Sequence, residues 1–365
     1  MSETVSGVLT LHSKGGGFLR DPARSYQPTG EDVFVPQQLI RNLGLCAGAA
    51  IIGKASKGSK GDRLVSVDTV CGMSPEKFRG RTRFDKLTAL SPTERFRIGD
   101  NGNITMRMLE MIAPIGKGTR GLIVSPPKAG KTQILEELAN AITACEPETR
   151  VLVVLVDERP EEVTHFRRRV NAEVVASSSD QSIDSHVRLS EAVMAYAKCE
   201  LECGNDLVIL VDSLTRMARA FNNADRSNSR TMSGGVGAGA LDPPRKFFGL
   251  ARNIEHGGSV TVIASALIET GSRMDDLIFQ EFKGTGNSEL VLSRSLAESR
   301  IFPAVDLRAS GTRRDDLMYS EEEMLWLNKV RRFLAGRDPR SALQGLIDLL
   351  GKTDSNDQLF DQIKV

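Results

Sequence analysis

The sequence predicts two folds in tandem: a small all-β barrel of the OB type, then an α/β P-loop domain built on a mainly parallel sheet. Three observations carry this reading. Five short β-branched segments crowd the first 70 residues, most of them separated by Gly-rich or charged turns. Beyond residue 106, four apolar runs are continuous rather than alternating, as in strands buried on both faces, and helical patterns lie between them. A Lys-Ala-Gly-Lys-Thr segment joins the first of these runs to the first helix.

The barrel strands are expected at residues 4–11, 17–20, 32–35, 49–55 and 63–70, which places the first domain at residues 1–75. Residues 76–105 read as a linker: Gly80, Pro92, Gly99 and Gly102 interrupt the stretch, with little apolar periodicity. The second domain is expected over 106–365, with strands at 121–125, 151–156, 207–211 and 259–267. Ile134, Leu138 and Ile142 recur every four residues and mark one face of a helix.

Composition excludes several classes. Hydrophobic residues make up 40% of the 365 and charged residues 26%, the balance of a globular chain. No apolar run approaches the length of a membrane span, and the N-terminus lacks a secretory pattern. Five cysteines scattered through the sequence suggest a reducing compartment, hence the cytoplasm. Cys199 and Cys203 stand four apart on an expected helix, a spacing that can seat a metal, but no second ligand pair is evident and no metal is expected there. The net charge of +1 leaves partners open, because local charge decides. Lys54, Lys57, Lys60 and Arg63 form one basic cluster, and Lys77, Arg79, Arg81, Arg83 and Lys86 another. Taken alone, each reads first as a solvated surface.

The segment Ser125, Pro126, Pro127, Lys128, Ala129, Gly130, Lys131, Thr132 has the setting a phosphate-binding loop requires, after a strand and opening a helix. There backbone N–H groups and the helix N-terminus face the phosphates. Lys131 would reach the β and γ oxygens of ATP, and the Thr132 hydroxyl would ligate magnesium. Ser125 replaces the usual first glycine. Asp212 ends a buried strand and is the candidate second magnesium ligand. Glu158 ends another strand and is the candidate base that activates the attacking water.

With these residues in view, the chain resembles the Rho family. PPKAGKT, VDERPEEVT, EVVAS, ILVDSLTRMARAFN, SGGV, RKFFGLARNIE, EFKGTGN and FPAVD followed by SGTR occur in the family's order and at similar spacings. The resemblance covers nearly the whole chain. It implies a RecA-like, hexameric, ATP-driven RNA translocase that dislodges RNA polymerase from its transcript. It implies further that Gly116, Lys117, Gly118, Thr119, Arg120 and Gly121, together with Lys128, Ala129, Gly130, Lys131, Thr132 and Gln133, line the nucleotide. By the resemblance, Arg159 would lie near it and Phe302 would stack on adenine. By the same resemblance, Arg313 would be the arginine finger reaching a neighbouring subunit, with Arg300 at the same interface.

For RNA, the resemblance implies an inner site on two loops. One carries Arg230, Thr231, Ser233 and Gly234, and the other carries Arg273, where the family has Lys. It implies an outer site on a cold-shock-like barrel, from Gly15, Gly16, Gly17, Phe18, Leu19 and Arg20, from Asp32, Val33 and Phe34, and from Asp62, Arg63 and Leu64. Gly16 and Leu64 replace family aromatics, so weaker and more salt-dependent binding of single-stranded RNA is expected. Two other readings stand beside this one: an ATP-gated RNA-binding ring that does not translocate, and a small-molecule P-loop kinase, against which the barrel and the finger argue.

Overall fold

The computed structural model describes residues 2–58, 61–224, 235–237 and 239–363. At the N-terminus, β1 (Ser2–Leu11), β2 (Gly17–Arg20), β3 (Val33–Val35), β4 (Ala50–Ser56) and β5 (Arg63–Val70) close into a barrel in the order β1-β2-β3-β5-β4, with α1 (Gln37–Leu43) between β3 and β4. Closure leaves no unpaired sheet edge. Period-2 alternation sets the faces: in β4, Ile51, Gly53 and Ala55 point inward while Ile52 and Lys54 face solvent. Leu9, Leu19, Val35, Ile51, Leu64 and Val70 fill the interior.

Residues 76–105 are folded rather than free chain. Helix α2 (Pro75–Arg79) buries Phe78 in the barrel core, and β6 (Ala89–Leu90) joins the sheet of the second domain. Phe96 and Ile98 enter the core of that domain. The Pro and Gly residues therefore make short turns between packed side chains. Arg81, read from sequence as a solvated cation, is only 2% exposed and bonds Glu202 at 2.8 Å. The need to neutralise a carboxylate beside apolar surface draws it in.

The second domain runs α3 (Ile104–Ile112), β7 (Arg120–Ser125), α4 (Lys131–Cys145), β8 (Arg150–Glu158), α5 (Pro160–Arg169), β9 (Glu173–Ser178), α6 (Ile183–Glu202), β10 (Leu207–Asp212) and α7 (Leu214–Ala224). It continues through α8 (Asp242–Phe248), β11 (Arg252–Ile254), β12 (Ser259–Leu267), α9 (Arg273–Lys283), β13 (Ser288–Val291), α10 (Arg294–Glu298) and β14 (Gly311–Thr312). Helices α11 (Glu321–Ala335), α12 (Pro339–Leu350) and α13 (Asn356–Ile363) end it. The sheet order is β14-β13-β7-β12-β10-β8-β9, parallel from β13 to β9, with β14, β11 and β6 added antiparallel. The continuous apolar runs follow from this: Val151, Val153 and Leu155 of β8 pack on one face with α4, while Leu152, Val154 and Val156 pack on the other with α6. All four expected strands are present. β9 and β13 are harder to read in the sequence, because polar residues at their ends leave only short apolar stretches.

The barrel sits against α6 and β9. The Ser25 hydroxyl accepts the Ala176 backbone N–H at 2.8 Å, and Tyr26 joins the second domain's core. Gly48 lies so close to α6 that a Cβ there would come within 2.1 Å of the Ala195 carbonyl. At the other end of the domain, the buried Arg107 guanidinium donates to the carbonyls of Leu350, Thr353 and Ser355 and to the Thr353 hydroxyl, tying α3 to the C-terminal helices.

Candidate functional site

In a parallel sheet, ligands gather beyond the carboxyl ends of the strands. Here β7, β8, β10 and β12 end together, since Ser125 pairs with Leu267 and Asp212 with Leu155. The loop after β7 turns tightly, with Lys128 and Gly130 both in the left-handed region (φ 65° and 94°), and Lys131 and Thr132 open α4. Lys131 Nζ donates to Asp212 Oδ1 and lies 3.9 Å from Glu158 Oε1. Ser265 Oγ donates to the same Asp212 oxygen at 2.9 Å. Among the described residues, Asp212 Oδ2 is buried without a hydrogen-bond partner. Such an atom suits a divalent ion. Burial and the neighbouring Asp212 charge push the Glu158 carboxyl up to about 7, against the opposing pull of Lys131 and Arg216.

Phe302, 44% exposed, stands over the loop, its ring 3.6 Å from where a Gly130 Cβ would lie. Gly130, Ala129, Gln133 and Phe302 border a small cavity there. Arg159 is exposed at the start of α5.

The 116–121 segment is elsewhere. Gly116, Lys117, Gly118, Thr119, Arg120 and Gly121 precede or begin β7, and the strand's length separates them from the loop at its other end. Lys117 is engaged by Glu94 at 2.6 Å and Asp206 at 3.4 Å. Within one chain, the expectation that these residues line the nucleotide beside the loop is therefore corrected. Arg313 lies at that same level, because Thr312 pairs with Ser288, which pairs with Gly121. Its side chain is exposed at the sheet edge, as is that of Arg300 in the turn after α10.

Helix α7 contributes residues that sequence reasoning missed. Arg216 Nε lies 3.2 Å from Glu158 Oε1, and Arg216 also donates to the Asp157 carbonyl. One turn on, Arg219 forms a two-pronged pair with the buried Asp275, which also accepts the Thr270 hydroxyl at 2.6 Å. Asn222 accepts the Gly237 N–H at 2.8 Å and donates to the Gly235 carbonyl at 3.3 Å. The sequence does carry a signal: Arg216, Arg219 and Asn222 stand at i, i+3 and i+6, on one face of the helix. Arg273 is exposed at the start of α9, beside the loop that Thr270 anchors. Arg230, Thr231, Ser233 and Gly234, like Lys60, lie outside the described residues.

On the barrel, Phe18 and Phe34 meet edge to face at 5.6 Å, half-buried and outside the core. Arg20 lies 5.2 Å from the Phe18 ring and pairs with Asp32, whose carboxylate also accepts from Thr29. Arg63 is exposed opposite Phe34, and the Asp62 carbonyl accepts the Phe34 N–H at 2.9 Å. Gly15 and Gly16 turn with positive φ, while Gly17 leaves no room for a Cβ against the Thr10 carbonyl. Two expectations are corrected. Leu64 and Leu19 alternate into the barrel core and are 1% and 4% exposed, so neither offers a surface for a base. Val33 is likewise turned against that core. Gly16 is not simply a lost aromatic: at φ 76° a Cβ would lie 2.8 Å from the Phe34 ring and 2.9 Å from the Val35 carbonyl.

Comparison with known proteins gives this geometry a family. The RNA-binding domain of Rho termination factor matches residues 5–76, and the nucleotide-binding domain of the ATP synthase alpha/beta family matches residues 105–312. An ATPase from the type III secretion system of pathogenic bacteria superposes with a TM-score of 0.64 at 20% identity, over 76% of this chain and 86% of that one, which shows the fold alone. The protein is thus a RecA-like ATPase joined to an RNA-binding barrel. Transcription termination factor Rho from Pseudomonas aeruginosa is 46% identical over 365 residues, 98% of this chain and 87% of that one. The same factor from Streptosporangium roseum is 46% identical, over 99% and 92%. The chain belongs to the Rho family of transcription termination factors.

Two predictions follow from the site. A carboxyl that must be ionised to take a proton from water fails below its pKa. Accordingly kcat/KM for ATP should fall as pH drops through about 7. Glu158→Gln should bind ATP but lose roughly 10²- to 10⁴-fold in turnover. An unchanged rate in that variant removes Glu158 from the role of base. On the barrel, Gly16→Ala should displace Phe34 and weaken single-stranded RNA binding by roughly 1–3 kcal/mol, the scale of one stacked base. Fluorescence anisotropy that shows equal or tighter binding contradicts this.

Proposed function

We propose that this chain is an RNA-dependent ATPase that assembles as a homohexamer in the cytoplasm, translocates along nascent single-stranded RNA and releases it from RNA polymerase. The observation that supports this best is α7, which touches Glu158 at one end and the bases of both channel loops at the other.

In this reading Lys131 leaves its carboxylate partners when ATP enters and bonds the β and γ phosphate oxygens. Gly130 and the first N–H groups of α4 cradle the phosphates, and Phe302 stacks on the base. Thr132 and the unpartnered Asp212 Oδ2 would hold magnesium, which neutralises phosphate charge when bound. Glu158 accepts a proton as the water oxygen bonds the γ-phosphorus and the bond to the ADP oxygen breaks. Arg216 holds the Glu158 carboxylate in place. Phe18, Phe34, Arg20 and Arg63 capture RNA on the barrel by stacking and phosphate contact. Arg273 grips it inside the ring, with Arg230, Thr231, Ser233 and Gly234, which lie outside the described residues, as the further contacts.

Arg313 fits a finger acting on a neighbour. It lies level with the start of its own β7, and four strand residues, about 13 Å, separate that point from the end where the phosphate loop begins. Arg313→Ala should therefore still bind ATP and form rings, yet lose ~10³-fold in RNA-stimulated turnover. Mixed with Lys131→Ala subunits, it should regain activity at interfaces that pair an intact loop with an intact finger. Absence of rescue in rings shown by native mass spectrometry to be mixed contradicts a finger acting in trans.

A further inference from the structure

Four of the five cysteines, dispersed in sequence, converge where the barrel meets α6. Cys199 lies on the last turn of α6 and Cys203 just after it. Cys71 follows β5, and Cys46 lies in the turn before β4. The sulfurs of Cys71, Cys199 and Cys203 all lie within 4.8 Å of one another. Cys71 and Cys199 are 3.6 Å apart, and the Cys46 sulfur stands 3.9 Å from that of Cys199. These spacings are too long for disulfides, whose sulfurs sit about 2.0 Å apart. In a tetrahedral thiolate site, zinc–sulfur bonds of about 2.3 Å place neighbouring sulfurs roughly 3.8 Å apart. Cys71, Cys199 and Cys203 come near that arrangement, whereas Cys46 stands outside the trio, close to Cys199 alone, and would complete the set by a shift of its turn.

We infer that Cys46, Cys71, Cys199 and Cys203 bind one Zn²⁺ ion, which staples the barrel to the ATPase domain. The surroundings are those of a structural site. Cys71, Cys199 and Cys203 are buried, so no position is open to substrate. Cys71 is held at φ 48°, a left-handed conformation that a non-glycine residue keeps only where its surroundings enforce it. Its N–H donates to the Ala50 carbonyl at 2.7 Å, and its own carbonyl accepts from Asn205 at 3.2 Å. Gly48, which admits no Cβ against α6, allows the Cys46 turn to approach the Cys199 helix. Arg81 Nη2 lies 3.1 Å from the Cys46 sulfur, placing a buried cation beside thiolates that outweigh the charge of one Zn²⁺. The nearby carboxylates are occupied, Glu202 by Arg81 and Glu200 by Arg150. Soft thiolate ligands select Zn²⁺ over hard cations, and each thiol releases its proton to water on binding. The site does not touch the phosphate loop, so it stands independently of the ATPase chemistry.

The test is metal analysis of the full chain, purified under reducing conditions without chelator. One zinc per chain is expected. Replacement by Co²⁺ should give the ligand-field and sulfur-to-cobalt charge-transfer bands of a tetrahedral thiolate site. Cys199→Ser with Cys203→Ser should abolish both signals, while Cys145→Ser, the cysteine outside the cluster, should keep them. Stripping the metal under reductant should raise hydrogen exchange in residues 46–71 and 199–205 and leave α4 unchanged. If the double variant fails to fold, the stoichiometry and cobalt spectrum of the unmodified chain still decide. Four titratable free thiols that leave one equivalent of added Zn²⁺ available to a weak indicator dye would overturn the inference. So would a Cys71–Cys199 disulfide in the reduced preparation.

Discussion

Three polar side chains on one helix hold the working parts of the second domain in register. Arg216, Arg219 and Asn222 recur every three residues along α7, and each meets a different element. Arg216 reaches the end of β8 at Glu158, Arg219 reaches the buried Asp275 under the Thr270 turn, and Asn222 reaches the 235–237 segment. The opposite side of the helix is apolar, with Leu214, Met217, Ala218 and Phe221 buried against the sheet. A helix fixed in this way shifts as a body. In the proposed function, a displacement at the two RNA-contacting loops would be felt at Glu158, because the paired Asp275 and Glu158 are both buried and losing a charged partner there is costly.

The chemistry rests on a charge imbalance at the strand ends. Two buried carboxylates, Glu158 and Asp212, share Lys131, and Lys131 bonds only Asp212 closely. Burial, and then the Asp212 charge, keep the Glu158 carboxyl easy to protonate against the pull of Lys131 and Arg216, and one Asp212 oxygen has no donor among the described residues. In the proposed function, an entering polyphosphate would compete for Lys131, and the carboxylates would then need another cation.

Much of the architecture was legible because it follows from local rules. The barrel strands alternate, the central strands are apolar throughout, and the phosphate loop has the flanking elements its chemistry demands. What escaped depends on tertiary pairing. Leu64 resembles a surface position until the β4–β5 register turns it inward. Gly16 reads as a missing ring until its backbone angle and the Phe34 ring are placed. The 116–121 segment lies close to the loop in sequence, yet a strand is the most extended path between two points. The cysteines lie up to 157 residues apart in a chain of 365 and meet only when the barrel docks. Arg81 appeared to be surface charge for the same reason.

In the proposed function, α7 transmits RNA contact to Glu158. The most direct measurement is the ratio of RNA-stimulated to basal ATPase in Arg219→Gln, with folding checked by circular dichroism. The account predicts nearly unchanged basal turnover and nucleotide affinity, with stimulation reduced ~10-fold or more, about 1.4 kcal/mol of coupling. Full stimulation in a folded, ring-forming Arg219→Gln protein would contradict it.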